Sequence, residues 1–124
     1  MGSYIDMSYD IYLKYPGTDD ACVLEERHQM RGGTYQIGGT PKAEFNITWN
    51  YAKFYYVLFG ESGIRTLYGK TGVESIPILV DAINQLGDDV SDNYWDATEG
   101  NAKKALQCLL VLAEQCPDGI WDGD

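Results

Sequence analysis

The sequence predicts an α+β fold: a small antiparallel sheet of about four strands from the N-terminal half, packed against about three helices from the C-terminal half. Three observations carry that expectation. Apolar residues alternate with polar ones up to about residue 50. The spacing then changes to that of an amphipathic helix, about 3.6 residues. Strands come first and helices afterwards, without the alternation of βαβ units. The whole chain, 1–124, has the length of one domain, and an apolar share of 44% suffices for a single core.

In SYDIYLKYPG, Tyr9, Ile11, Leu13 and Tyr15 alternate with Asp10, Tyr12 and Lys14, a strand stopped by Pro16-Gly17. ACVLEE, from Ala21, reads as a second strand, and TYQI, between two glycine pairs, as a third. AEFNITWN alternates Phe45, Ile47 and Trp49 and makes the fourth. After Asn50, a candidate N-cap, YAKFYYVLFG reads as a helix closed by Gly60. In TGVESIPILVDAINQLG, Thr71 and Glu74 have capping-box spacing, Ile76, Leu79, Ile83 and Leu86 form an apolar stripe, and Gly87 is the expected C-cap. Pro77 is awkward inside a helix and moves the expected start to Ser75. Thr98 caps a last helix bearing Ala102, Ala105, Leu106, Leu109, Leu110 and Ala113, which stops before Pro117. Residues 1–6 read as a vector-derived or disordered extension ahead of a native start at Met7.

Nineteen acids against nine bases give a formal charge of -10. The excess is uneven: ten acids face seven bases up to residue 87, and nine face two from residue 88 onward. Such a chain repels nucleic acid and anionic membranes and favours basic partners or cations. Cys22, Cys108 and Cys116 form no disulfide framework, and no long apolar run is present, so the expected location is a reducing cytoplasm. The Asn46-Ile47-Thr48 sequon then reads as chance.

GIRTLYGKTG ends like a phosphate loop, but five residues separate Gly63 from Gly69 where four are needed. His28 is the only histidine, which leaves little for nucleophilic catalysis or zinc. No enzyme, cofactor or metal is expected. Arg27, His28 and Arg31 lie together in a glycine-flanked hairpin. With Lys70 and Thr71 at a helix N-terminus, they are the candidates for an alternative role, gripping the phosphate of a small nucleotide signal.

GDDVSDNYWDATEG, residues 87–100, is the most acidic stretch. As a twelve-residue calcium loop it offers Asp88, Asp92, Asp96 and Glu99, but Val90 cannot ligate and Asn93 replaces the turn glycine. Two readings compete. One is a capped, solvated helix connector. The other is a binding edge in which Asp88, Asp89, Asp92, Asp96 and Glu99 face a basic partner, with Tyr94 and Trp95 as anchors. Trp121, among the tail acids Asp118, Asp122 and Asp124, joins that second reading.

The stretch GIRTLYGKTGVESIPILVDAINQLGDDVSDNYWDATEGNAKKAL, followed by PDGIWDGD, resembles small acidic proteins of phages, prophages and mobile elements of Firmicutes. MSYDIYL, RGGTYQIGG and NITWNY extend the resemblance over nearly the whole chain. Its marks are Gly-Lys-Thr-Gly at 69–72, Tyr94-Trp95 and Gly100-Asn101-Ala102. No activity and no catalytic residue comes with it. The resemblance implies a context in which such proteins are often inhibitors of bacterial defence, including anti-CRISPR proteins and DNA mimics. The expected function is therefore a non-enzymatic inhibitor whose acidic face binds a basic, nucleic-acid-binding surface of a host defence complex such as a CRISPR effector. Neither direct nucleic-acid nor membrane binding is expected, and a homo-oligomer stays among the partner options.

Overall fold

The computed structural model describes residues 8–28 and 39–124. These hold five strands and three α-helices: β1 Ser8–Lys14, β2 Val23–His28, β3 Thr40–Lys42, β4 Glu44–Thr48, α1 Ala52–Phe59, α2 Gly72–Gln85, α3 Glu99–Gln115 and β5 Ile120–Gly123. The α+β class expected from the sequence is present. The third predicted strand, TYQI, lies outside the described residues, as do Arg31, residues 1–6 and Met7.

The alternating run from Tyr9 becomes β1, the middle strand of an antiparallel sheet ordered β4–β1–β5. Tyr9 lies opposite Ile47, Ile11 opposite Phe45, and Leu13 opposite Trp121, all of them buried. One sheet face therefore belongs to the core, and the period of two put it there. The third strand of this sheet comes from the C-terminal IWDG, where no element was expected. After α3 the Pro117-Asp118 turn reverses the chain, with the Gly119 amide donating to the Cys116 carbonyl at 3.1 Å. Lys14 Nζ then meets Asp122 Oδ2 at 2.8 Å across the β1–β5 pair. That hydrogen bond holds the Asp122 carboxyl below its ordinary value.

β2 pairs with β3 in a separate ribbon, with a register shift between Val23 and His28. The ribbon is tied to the sheet where Cys22 donates to Leu13 O and Ala43 donates to Cys22 O, both at 2.8 Å. Asn46 of the sequon is only 2% exposed, and its amide nitrogen donates to Ser8 and Asp10. It is closed to modification in this fold.

α2 starts at Gly72 rather than Ser75 and carries Pro77 in its second turn. The helix absorbs the proline because only the Val73 carbonyl loses its partner, and Val73 is exposed to water. Its start is fixed by tertiary contacts. The Gly72 amide donates to Gly119 O at 2.8 Å and the Val73 amide to Pro117 O at 2.9 Å. A Cβ on Gly72 would stand 2.6 Å from the Cys116 carbonyl oxygen, so this close approach requires glycine. The predicted capping box is complete: Thr71 Oγ1 accepts from the Glu74 amide at 3.2 Å, and Glu74 Oε1 accepts from the Thr71 amide at 2.8 Å. Thr71→Ala is expected to cost about 1 kcal/mol in chemical unfolding. The Thr71 amide lowers the Glu74 carboxyl. Its stabilisation is therefore full above the unfolded value of about 4.5 and fades as pH falls below it. Glu74→Gln should accordingly destabilise at neutral pH and by progressively less in acid.

The other caps are mixed. Gly60 closes α1 with φ 93, as expected, and Thr98 caps α3 by accepting from the Asn101 amide. Thr48, not Asn50, caps the 3-10 turn that leads into α1, because its hydroxyl accepts from the Asn50 amide at 3.2 Å. Gly87 is no left-handed cap. α2 ends as Leu86 turns extended, and the Gly87 amide donates to Glu99 Oε1 at 3.0 Å. Leu79 and Ile83 of α2, Leu86 just past its end, and Ala102, Leu106 and Leu109 of α3 are buried, and the two helices pack against each other. Among the described residues no helix is long and apolar enough to cross a membrane.

Candidate functional site

The acidic stretch is the connection from α2 to α3, and most of its carboxylates turn inward to hold it together. Asp89 Oδ1 accepts from the Gly100 amide at 3.1 Å, at the first turn of α3, where a negative charge is favoured. Asp96 accepts from Ser91 Oγ at 2.6 Å and from Asn93 Nδ2 at 3.1 Å. Asp88 pairs with Lys103 Nζ at 2.7 Å, both ends reaching solvent. Glu99 binds the Gly87 amide. Asp92 is exposed and takes part in none of these bonds.

The centre of the loop is Asn101, a residue the charge pattern passed over. It is 6% exposed. Its Oδ1 accepts from the Ser91 amide, and its Nδ2 donates to the carbonyls of Asn93 and Asp96, each at 3.1 Å. A sequence signal did exist: Asn101 falls on the buried stripe it shares with Ala105 and Leu112.

The two aromatic residues divide. Tyr94 is half-buried and belongs to the fold. Its hydroxyl accepts from the Thr48 amide at 2.9 Å, its carbonyl accepts from the Tyr51 hydroxyl, and its ring meets that of Tyr51 edge-on. These bonds set it against the edge of β4. Trp95 is 41% exposed, yet its backbone is tied at both ends. Its amide donates to Asn93 Oδ1 at 3.1 Å, and its carbonyl accepts from Asn50 Nδ2 at 2.8 Å. Trp121 is fully buried and offers no surface to a partner.

Beside this loop runs a groove of about 470 Å³. Phe45, Tyr51 and Ala105 give it apolar walls, and Asp92 and Lys104 give it opposite charges. The volume suits a bulky side chain of a partner or a small ligand. Of the tail acids, Asp118 lies in the turn past the other end of α3, about 25 Å along its axis. Asp122 and Asp124 return along β5 and at its end, antiparallel to β1. There Asp122 is paired with Lys14, and the main-chain oxygen of Asp124 accepts from Arg65 Nε at 2.8 Å.

Of the alternative phosphate site, Arg31 lies outside the described residues, and Arg27, His28, Lys70 and Thr71 fall in two places. Arg27 Nη1 donates to Gly39 O at 3.2 Å, and His28 Nε2 lies 2.6 Å from Lys42 O, so both are tied to the β3 side of the ribbon. Lys70 and Thr71 precede α2, whose first three amides are taken by Gly119 O, Pro117 O and Thr71 Oγ1. The Glu74 carboxylate also stands at that end. No free amide there awaits an anion. Among the described residues no group of three His, Cys, Asp or Glu side chains is placed to hold a metal ion.

Comparison with protein-family models, with curated proteins and with solved structures finds no match.

Proposed function

We propose that the chain is a non-enzymatic binding protein that docks the α2–α3 loop onto a basic surface of another protein. The observation that carries this reading is Trp95, an exposed indole on a backbone already fixed at both ends and flanked by carboxylates. An aromatic group held in advance loses little conformational freedom on binding, which is the property of an interface anchor. Asp92 supplies exposed negative charge on the same loop, Asp88 is exposed and shared with Lys103, and the net charge of -10 steers a basic partner toward the chain. The resemblance to phage and prophage proteins favours a host defence complex, such as a CRISPR effector, as the owner of the basic surface.

The test uses residues whose loss leaves the loop standing. Asp89 holds the Gly100 amide and Asp96 holds the Ser91 and Asn93 side chains, so the variant combines Asp88→Asn, Asp92→Asn and Trp95→Ala. A tagged chain is used to capture its partner from bacterial lysate, and the affinity is then measured for both forms across a salt series. The wild type is expected to bind at least about tenfold more tightly at low salt, with the gap narrowing as screening increases. Equal affinity of the two forms, or affinity indifferent to salt, sinks the proposal. A nucleotide panel in thermal shift separates the ligand-binding reading: a midpoint raised by a nucleotide would favour it.

A further inference from the structure

Cys22 and Cys116 are far apart in sequence, and the fold brings both against Gly119, with the two side chains interacting. Cys22 is 3% exposed and sits where the chain passes from the sheet into the β2–β3 ribbon. Cys116 is half-buried and ends α3. The turn that follows it packs onto Cys22: a Cβ on Gly119 would stand 2.9 Å from Cys22 Sγ and 3.3 Å from the Cys116 carbonyl oxygen. The Gly119 amide itself donates to that carbonyl. Cys108 stands apart, exposed on α3 and about 12 Å along the axis from Cys116.

We propose that Cys22 and Cys116 are a thiol-oxidation site, which a disulfide reagent such as oxidised glutathione converts into an intramolecular disulfide joining the ribbon to the end of α3. The more accessible Cys116 reacts first. Its thiolate attacks one glutathione sulfur, a Cys116–glutathione bond forms, the reagent's S–S bond breaks and one glutathione thiolate leaves. The Cys22 thiolate then attacks Cys116 Sγ and expels the second glutathione. Two protein thiols lose two protons and two electrons, and one glutathione disulfide becomes two thiols. The order of attack agrees with the electrostatics. Burial pushes the Cys22 thiol up to about 11, and Cys116 beside it adds to the rise. Burial raises Cys116 as well, but the interaction with Cys22 acts to lower it. Oxidation is therefore slow near neutral pH and quickens as pH rises.

The test incubates the reduced full chain with oxidised glutathione and follows intact mass, peptide cross-links and thermal midpoint. The expected product has lost two hydrogens between Cys22 and Cys116, while Cys108 carries a separate glutathione. The midpoint should rise by about 5–15 °C, because the bond closes a loop of most of the chain. Dithiothreitol should reverse the rise. Cys108→Ser should keep it and Cys116→Ser should abolish it, and Cys116→Ser removes only a half-buried thiol. A stable glutathione adduct on Cys116 without the cross-link, or a Cys22 that stays reduced throughout, overturns the proposal.

Discussion

Trp121→Ala is expected to cost about 3–5 kcal/mol in urea unfolding, while Trp95→Ala costs less than about 1 kcal/mol. The two tryptophans look alike in sequence, each set among aspartates, and the fold treats them oppositely. The Trp121 indole is fully buried opposite Leu13, and its removal opens a cavity that the packed helices cannot fill. Its Nε1 also donates to Ser75 Oγ at 2.7 Å, and Ser75 in turn donates to Gly72 O at 2.7 Å. Its backbone binds Lys70 O and the Gly69 amide, both at 2.9 Å. One residue thus joins β5, the turn before α2 and the first turn of α2. A domain of this size is stable by roughly 5–15 kcal/mol, so the alanine variant gives up a large share of its margin. Trp121→Phe, which keeps most of the volume but not the hydrogen bond, should fall between the two. A loss below about 1 kcal/mol for Trp121→Ala would contradict its place as the keystone of β5.

What the sequence disclosed, and what it hid, follows from range. β1, β4, α2 and α3 declare themselves through periodicity, and the Thr71–Glu74 box and the Thr98 cap through local hydrogen-bonding chemistry. β5 does not. Four residues, IWDG, are too few to show a period, and what makes them a strand is β1, over a hundred residues away. Pro77 misled for the reverse reason: a local penalty displaced the expected start of α2, whereas the Pro117–Gly119 turn fixes that start from outside. The acidic loop shows the same limit at the candidate site. Its charge is visible in sequence, but the inward turn of Asp89 and Asp96 is not, and neither is the burial of Tyr94 against Tyr51 and β4. Composition marks a negative region; only the fold separates the carboxylates that hold the loop from those left in solvent. The thiols are hidden in the same way, since spacing along α3 speaks of Cys108 and Cys116 and says nothing of Cys22.

Asn101→Ala is the second large effect, and it links stability to the proposed binding. The side chain supplies three part-buried hydrogen bonds to the backbone of the loop, to Ser91, Asn93 and Asp96. Alanine leaves one amide and two carbonyls without that partner, a loss of about 2–3 kcal/mol even after water reaches some of them. The loop backbone lies directly on the start of α3: a Cβ on Gly100 would stand 2.6 Å from Val90 N and 2.7 Å from the Asp89 carbonyl carbon. Without Asn101 the loop loses its central clamp and keeps only its peripheral bonds, so hydrogen exchange should quicken across residues 88–97 while α2 and β1 stay protected. Asn101→Asp is expected to be at least as damaging. A carboxylate still accepts from Ser91, but it faces the carbonyls of Asn93 and Asp96 with no hydrogen to offer. If the loop binds its partner as a preformed edge, both variants should weaken binding without changing any exposed charge beside Trp95 in the alanine case. Asn101→Ala would then raise the dissociation constant while leaving its salt dependence intact, and Asp92→Asn would flatten the salt dependence while leaving exchange untouched. A variant at Asn101 with native exchange across 88–97 would show that the loop is held by something other than this side chain.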